Sequence, residues 1–352
     1  LTVWSSMDGL KVLLFIVSAV FVLGEECAFN QTLTNFNVTV YPEVDSAGEN
    51  VTIQIPIEYK KDIFHLLIVN ETLPNLCQNF FLIQNELSIV QIINSSVQEI
   101  HPGAFNITPT LALIRIVLNP ISSIKKNVFN NIKVKEIDLS QNVINNIDTE
   151  AFDNNTYLEI VKLNNNQIKE INPNWFYNSP KVYKFSAIYN DIKAIPAEAF
   201  KNMDQERPLK LRLSANRITE ISPDAFNSHH TIQLLRINGN KITTLPDNIF
   251  INRTIQILQV NTNKLQCFPD VMFQTGINTL DFVDNISFEC QCLKKVRKFA
   301  EDNNLEVLYP SIICEDRARE VNIVFSYNKT YEIPLLPPTV DVDVYVKPDQ
   351  PT

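Results

Sequence analysis

Apolar residues recur along this chain at a period near 24, not at the 3.6 of a helix or the 2 of a lone strand. In residues 158–176 they fall at Leu158, Val161, Leu163, Ile168, Ile171 and Phe176, with Asn166 among them. With Leu158 as position 1, this template (1, 4, 6, 9, 11, 14, 19) also starts at Leu87, Leu111, Val134, Val182, Pro208, Ile232 and Ile255. A weaker copy starts at Ile63 and an incomplete one at Ile277. Starts of the complete copies lie 23 to 26 residues apart. Positions 4 and 6 flank an outward residue, as on a short parallel strand. One such coil cannot bury its own apolar face, but a stack of coils makes a continuous core. The pattern predicts an α/β solenoid of about ten coils over 63–285, its sheet roughly 45–50 Å across.

Two positions carry one residue type. Position 9 is Asn119, Asn142, Asn166, Asn190, Asn216, Asn240, Asn263 and Asn285. An amide both donates and accepts, so stacked Asn side chains bond the turns of their own and neighbouring coils. Glu71 and Ser95 hold this position in the first two coils, where the ladder should be weak. Position 19 is Phe81, Phe105, Phe129, Phe152, Phe176, Phe200, Phe226, Phe250 and Phe273, a buried aromatic spine. The set resembles the leucine-rich repeat of extracellular proteins, the type with Phe near position 19. That resemblance implies a horseshoe with a concave parallel sheet, and partner binding on that sheet. The general pattern is similar to insect secreted leucine-rich-repeat proteins of immune recognition.

A solenoid needs covers at both ends. Residues 25–62 alternate at Phe36, Val38 and Val40 and again at Val51, Ile53 and Ile55, about a turn at 45–48, which predicts a β-hairpin N-cap. In 286–330, Leu293, Val296 and Ala300 have helical spacing after Cys290 and Cys292. This resembles the cysteine-rich helical C-cap of the same family. A Pro-containing acidic tail fills 331–352. Cys27 and Cys77 lie at one end and Cys267, Cys290, Cys292 and Cys314 at the other. Ends tens of ångströms apart cannot be bridged, so Cys27 pairs with Cys77. Cys290 and Cys292 sit too close to pair, leaving two arrangements open. The family cap implies Cys290–Cys314 with Cys267–Cys292, and the other is Cys267–Cys290 with Cys292–Cys314. C-x-C also suits zinc, but an even count in a secreted chain favours disulfides over any metal.

The compartment follows from residues 1–24. Lys11 precedes an apolar run ending before Glu25, which reads as a signal peptide, with 1–6 upstream of Met7. No later segment is apolar enough to span a bilayer. Sequons stand at Asn30, Asn37, Asn50, Asn70, Asn94, Asn106, Asn154, Asn252 and Asn328, which favours a glycosylated surface without requiring occupancy at every site. Asn285 is also a sequon, but its ladder position should bury it.

Composition narrows the function. Six glycines form no phosphate-cradling loop, while Asn numbers 41. The net charge of −9 argues against nucleic acid. Residues 25–62 hold seven acids against two bases and 331–352 four against one, so the coils themselves are nearly neutral. His65, His101, His229 and His230 form no metal or catalytic motif, and the His229–His230 pair reads as a solvated loop. We therefore expect no enzyme and no cofactor.

Binding residues are sought at the outward positions 2, 3, 5, 7 and 8. Arg115, Lys162, Arg212 and Arg236 occupy position 5, Lys184 and Lys210 lie beside them, and Tyr183 and Tyr189 project from one coil. Arg and Tyr on a rigid sheet are typical interface anchors. The expected partner is a protein or microbial-surface ligand, with homo- or heterodimers left open. A second, apolar patch comprises Val69, Ile89, Ile93, Leu113, Val117 and Leu118, either flanked by glycans at Asn70 and Asn94 or covered by the hairpin. The rival reading is the ectodomain of an adhesion or Toll-like receptor cut before its membrane span.

Overall fold

The computed structural model describes residues 36–41, 48–53, 64–81, 87–105, 110–274 and 276–309. The chain forms two units, Leu1–Ile312 and Ile313–Thr352, and the second lies wholly outside the described residues. The same holds for the signal segment and for Asn30, Asn106, Asn328, Cys27 and Cys314.

Among the described residues one sheet of 13 strands dominates. Its strands are β1 (Phe36–Tyr41), β2 (Glu49–Ile53), β3 (His65–Val69), β4 (Ile89–Ile93), β5 (Leu111–Val117), β6 (Val134–Asp138) and β7 (Ile160–Lys162). Then come β8 (Lys184–Ser186), β9 (Leu209–Arg212), β10 (Thr231–Arg236), β11 (Thr254–Gln259), β12 (Gly276–Asp281) and β13 (Glu306–Leu308). From β3 to β13 the strands lie parallel in chain order, with β3 to β12 contributed one per coil. Burial alternates as the template requires. In β4, Val90 and Ile92 are buried, while Ile89, Gln91 and Ile93 face outward. One start shifts: Leu209, not Pro208, is buried and pairs with Ile232, and a bulge follows it. Pro208 has no backbone N–H to give a ladder, so it stays outside the strand.

The Asn ladder is built as its chemistry requires. In a typical coil the side chain donates through Nδ2 to the position-6 carbonyls of its own and the preceding coil. Its Oδ1 accepts from the position-11 N–H of the preceding coil. For Asn216 these partners are Leu213 (3.0 Å), Ala187 (2.8 Å) and Ile192 (3.1 Å). Asn142 through Asn285 keep most of this pattern, and all are buried. At the weak end Ser95 is buried too, and its hydroxyl accepts from the Glu71 N–H at 3.3 Å. A shorter side chain thus carries one rung onward.

Position 8, just before each ladder residue, is left-handed throughout. Asn70, Asn94, Leu118, Gln141, Asn165, Tyr189, Ala215, Thr262 and Asp284 have φ between 49° and 59°, and Gly239 has φ 65°. For a non-glycine residue this costs roughly 1–2 kcal/mol. In eight of these ten the N–H that emerges meets a carbonyl of the next coil, as Tyr189 does at Ser214 (3.1 Å) and Ala215 at Asn238 (2.9 Å). The bend therefore recurs without glycine, which reconciles a repetitive turn with so few glycines.

The Phe column is buried from Phe81 to Phe250, whereas Phe273 is half-buried. Rings stack at 5.3–5.9 Å from Phe81 through Phe176, and Phe200 stacks on Phe226 at 5.6 Å. The stack does not continue from Phe176. Position 4 of the next coil is the bulky Phe185, which meets the Phe176 ring edge-on at 5.7 Å and lies beside Trp175. Three residues beyond the Phe column runs a second polar ladder that the template omitted. Asn155 donates to the carbonyls of Phe129 and Phe152, Ser179 to that of Phe152 (2.6 Å), and Arg253 to that of Phe226 (3.1 Å). His229 occupies the same place, so it is not a solvated loop residue: it is 1% exposed. Burial pushes its pKa down to about 4, although the Asp204 backbone and carboxylate pull the other way.

Both caps take the expected form. β1 and β2 pair antiparallel, and β1 joins the edge of β3, so the hairpin extends the sheet in its own plane. At the other end helix α1 (Cys290–Asn303) buries Cys292, Leu293, Val296, Phe299 and Ala300. Phe299 meets Phe273 at 5.5 Å, which draws that last Phe toward the cap. β13, which the helical pattern did not predict, then pairs with β12. Cys267 and Cys292 form a disulfide with Cα atoms 5.5 Å apart, which removes the Cys267–Cys290 alternative. Cys77 and Cys290 are disulfide-bonded as well. Their expected partners Cys27 and Cys314 lie outside the described residues.

Candidate binding face

The outward positions of β3–β12 form one open face, and strand register sets its charge pattern. Position 5 runs Gln91, Arg115, Asp138, Lys162, Ser186, Arg212, Arg236, Gln259 and Asp281 across neighbouring strands. Two of the expected anchors are neutralised within the sheet. Arg115 Nε lies 3.6 Å from Asp138 Oδ2, and Lys162 Nζ lies 3.0 Å from Glu136 Oε1.

The other cations gather on β8–β10. Lys184 pairs in register with Lys210, and Arg212 with Arg236. Between Lys162 and Asp281 the outward positions of these coils hold no carboxylate. Lys184 and Arg212 are 9% and 7% exposed, so little of either side chain is open to solvent, and Lys210 and Arg236 are the more accessible members of the group. Tyr189, 62% exposed in its left-handed turn, stands beside them. Tyr183 is half-buried beneath two cations, with Arg207 Cζ 4.3 Å and Lys210 Nζ 5.8 Å from its ring centre.

Arg207 was not among the expected residues. It belongs to the longest coil, whose extra length adds a loop before β9. Its Nε donates to Asp204 Oδ2 at 2.6 Å, its NH1 lies 3.4 Å from Glu159 Oε2, and it also donates to the Lys181 carbonyl. Burial raises the Asp204 carboxyl, but hydrogen bonds from Arg207 outweigh this and hold it below the usual range. The loop walls a cleft of about 850 Å³ that includes Lys181, Lys201 and Glu206. The one signal in the sequence was the 26-residue spacing from Val182 to Pro208.

The apolar patch is smaller than expected, because Val117 is buried. Val69 and Leu118 are 39% and 48% exposed, and Ile89, Ile93 and Leu113 are half-buried. The described strands of the hairpin lie in the plane of the sheet and not over this patch. Among the described residues, no three His, Cys, Asp or Glu side chains gather as metal ligands. No described helix is long and apolar enough to cross a membrane.

Comparison with known proteins agrees with this geometry. The model for the BspA-type leucine-rich repeat region matches in six copies over residues 75–207 and 209–305, more than half of the chain. Tsukushi of Gallus gallus is 30% identical over 111 residues, 32% of this chain and 30% of that protein. Tsukushi of Mus musculus is 29% identical over 114 residues, 32% of each chain. The chain thus spans about a third of the length of these relatives. Among solved structures, the Drosophila Toll–Spätzle complex superposes with a TM-score of 0.53 at 21% identity, over 60% of this chain and 29% of that one. Repeat template, Asn ladder, capped parallel sheet and family model agree: this chain belongs to the leucine-rich-repeat family.

Proposed function

We propose that this is a non-enzymatic, secreted recognition protein of the innate-immune type, which receives an acidic surface of a protein ligand on the open face of β8–β10. The observation that carries the reading is the strip of Lys184, Lys210, Arg212 and Arg236, on coils whose outward positions carry no carboxylate, bordered by Tyr183 and Tyr189. Cations held on a rigid sheet lose little freedom on binding, and aromatic rings beside them supply contact area. A microbial surface rich in acidic polymers offers the same charge and is the second ligand class tested.

The experiment is capture by the protein secreted with its own N-terminus from insect cells. Body-fluid proteins and a purified anionic bacterial polymer are presented in parallel. The reading expects a protein ligand that elutes with salt and is lost from a Tyr189→Ala, Lys210→Ala, Arg236→Ala variant. Capture unaffected by that variant moves the site elsewhere. Capture of the polymer alone makes the ligand a polysaccharide.

A further inference from the structure

We propose that N-linked glycans on Asn50, Asn70 and Asn94 fence off the open face of β1–β4 and confine macromolecular ligands to the strands beyond it. The proposal rests on the secretory reading above.

Register brings these sequons to one end of one face. Thr39 of β1 lies opposite both Asn50 and Leu67. Leu66 and Ile68 point into the core, so the row Asn50, Thr39, Leu67 belongs to the open face. Asn50 is exposed, and its Oδ1 accepts from Thr39 Oγ1 at 2.9 Å. Asn70 and Asn94 stand exposed at position 8, on the rim where β3 and β4 end, and Asn94 Nδ2 donates to Asn70 Oδ1 at 2.7 Å. Enclosed between the Asn50 edge and this rim are Leu67, Val69, Ile89 and Ile93. An apolar surface of this kind on a secreted sheet invites nonspecific contact. Hydrated sugar chains at its border exclude bulky partners while leaving the sheet intact.

The amide chemistry separates these sites from the buried sequon. Glycosylation consumes one hydrogen of Nδ2 and leaves Oδ1 and one N–H. Asn50 uses only Oδ1 and Asn94 one donor, so both keep their bonds. Asn285 spends both Nδ2 hydrogens, on Val260 (3.0 Å) and Phe282 (2.8 Å), and is fully buried. The remaining described sequons with placed side chains, Asn154 and Asn252, lie two residues beyond the Phe column and away from this face.

Glycopeptide mapping of the protein secreted from insect cells reads occupancy site by site. Binding of an environment-sensitive apolar dye tethered to a large dextran, which gives it the bulk of a macromolecule, reads the fence before and after enzymatic removal of the glycans. We expect occupancy at Asn50, Asn70 and Asn94, none at Asn285, and a several-fold rise in dye fluorescence on deglycosylation at unchanged Tm. A Thr72→Ala, Ser96→Ala, Asn50→Gln variant, which keeps both rim asparagines, should show the same rise without enzyme. Glycans confined to Asn154 and Asn252 would overturn the proposal and leave the secretory reading standing. So would full occupancy with unchanged dye binding. No glycan at any sequon would overturn both.

Discussion

Arg253 donates through Nε to the carbonyl of His229 at 3.1 Å, and its positive charge adds to the burial that keeps this imidazole neutral. The folded-state pKa of His229 is about 4, below the ordinary 6.5. The unfolded chain therefore binds more protons between those values, and stability rises with pH across that window. The contribution is fully present above pH 6.5 and is lost as pH falls toward 4, in total about 3 kcal/mol. Urea midpoints measured from pH 7 to pH 4 should fall more steeply for the native protein than for His229→Asn, a replacement that copies Asn155 of an earlier coil. Parallel slopes for the two proteins would show that His229 does not titrate in this range.

The ladder predicts a gradient of sensitivity along the solenoid. Asn216→Ala removes four buried hydrogen bonds and leaves the Ile192 N–H and the Ala187 carbonyl without these partners, while the Leu213 carbonyl keeps Asn240. A loss of about 2–4 kcal/mol is expected. Ser95→Ala removes two hydrogen bonds, one accepted from the Glu71 N–H at 3.3 Å and one donated to the Ile93 carbonyl at 2.9 Å, and should cost less, about 1–2 kcal/mol. Thermal unfolding of the two variants checks the ranking.

The left-handed column yields an opposite pair of substitutions. Ala215 has φ 52°, so Ala215→Gly should raise stability by about 1 kcal/mol. Gly239 has φ 65°, and a Cβ there would lie 3.4 Å from the Ala215 backbone nitrogen. Gly239→Ala should therefore lower stability by roughly 1–2 kcal/mol. Differential scanning calorimetry reads both signs.

Ligand binding at β8–β10 should depend on salt. Lys210 and Arg236 sit at a surface where ionic screening acts over about 8 Å at 0.15 M. Raising NaCl to about 0.5 M should weaken capture severalfold and flatten the difference between native protein and Arg236→Ala. Interferometry at two salt concentrations measures this. Arg212→Glu is a poor probe, since a carboxylate at a 7% exposed position tests folding along with binding.

The fold was more legible than the face because periodicity reports burial. Asn at position 9 and Phe at position 19 each repeat one structural demand, so the ladder and most of the aromatic column could be read directly. Phe185 broke the column because the template records only that position 4 is apolar, not how wide its ring is. Pro208 misplaced a start because one coil is irregular by a residue. On the open face, sequence showed which residues point outward but not their lateral neighbours. Arg115 and Lys162 carry acidic partners from an adjacent coil, while Lys184 and Lys210 adjoin each other. Those pairings cross sequence gaps of one coil and emerge only with register. His229 looked solvated because its coil's loop is polar, and only the second ladder explains its burial.

Both outermost strands of the sheet come from outside the repeats: β2 from the hairpin and β13 from the segment after α1. Among the described strands, the modular coils therefore lie between two strands of non-repeat sequence. Duplicating or deleting one whole interior coil preserves every kind of contact, because each coil bonds only to its neighbours. Loss of either terminal segment instead bares a strand edge of the type that seeds intermolecular pairing. Variation in length should accordingly enter between β5 and β11 and spare the two ends.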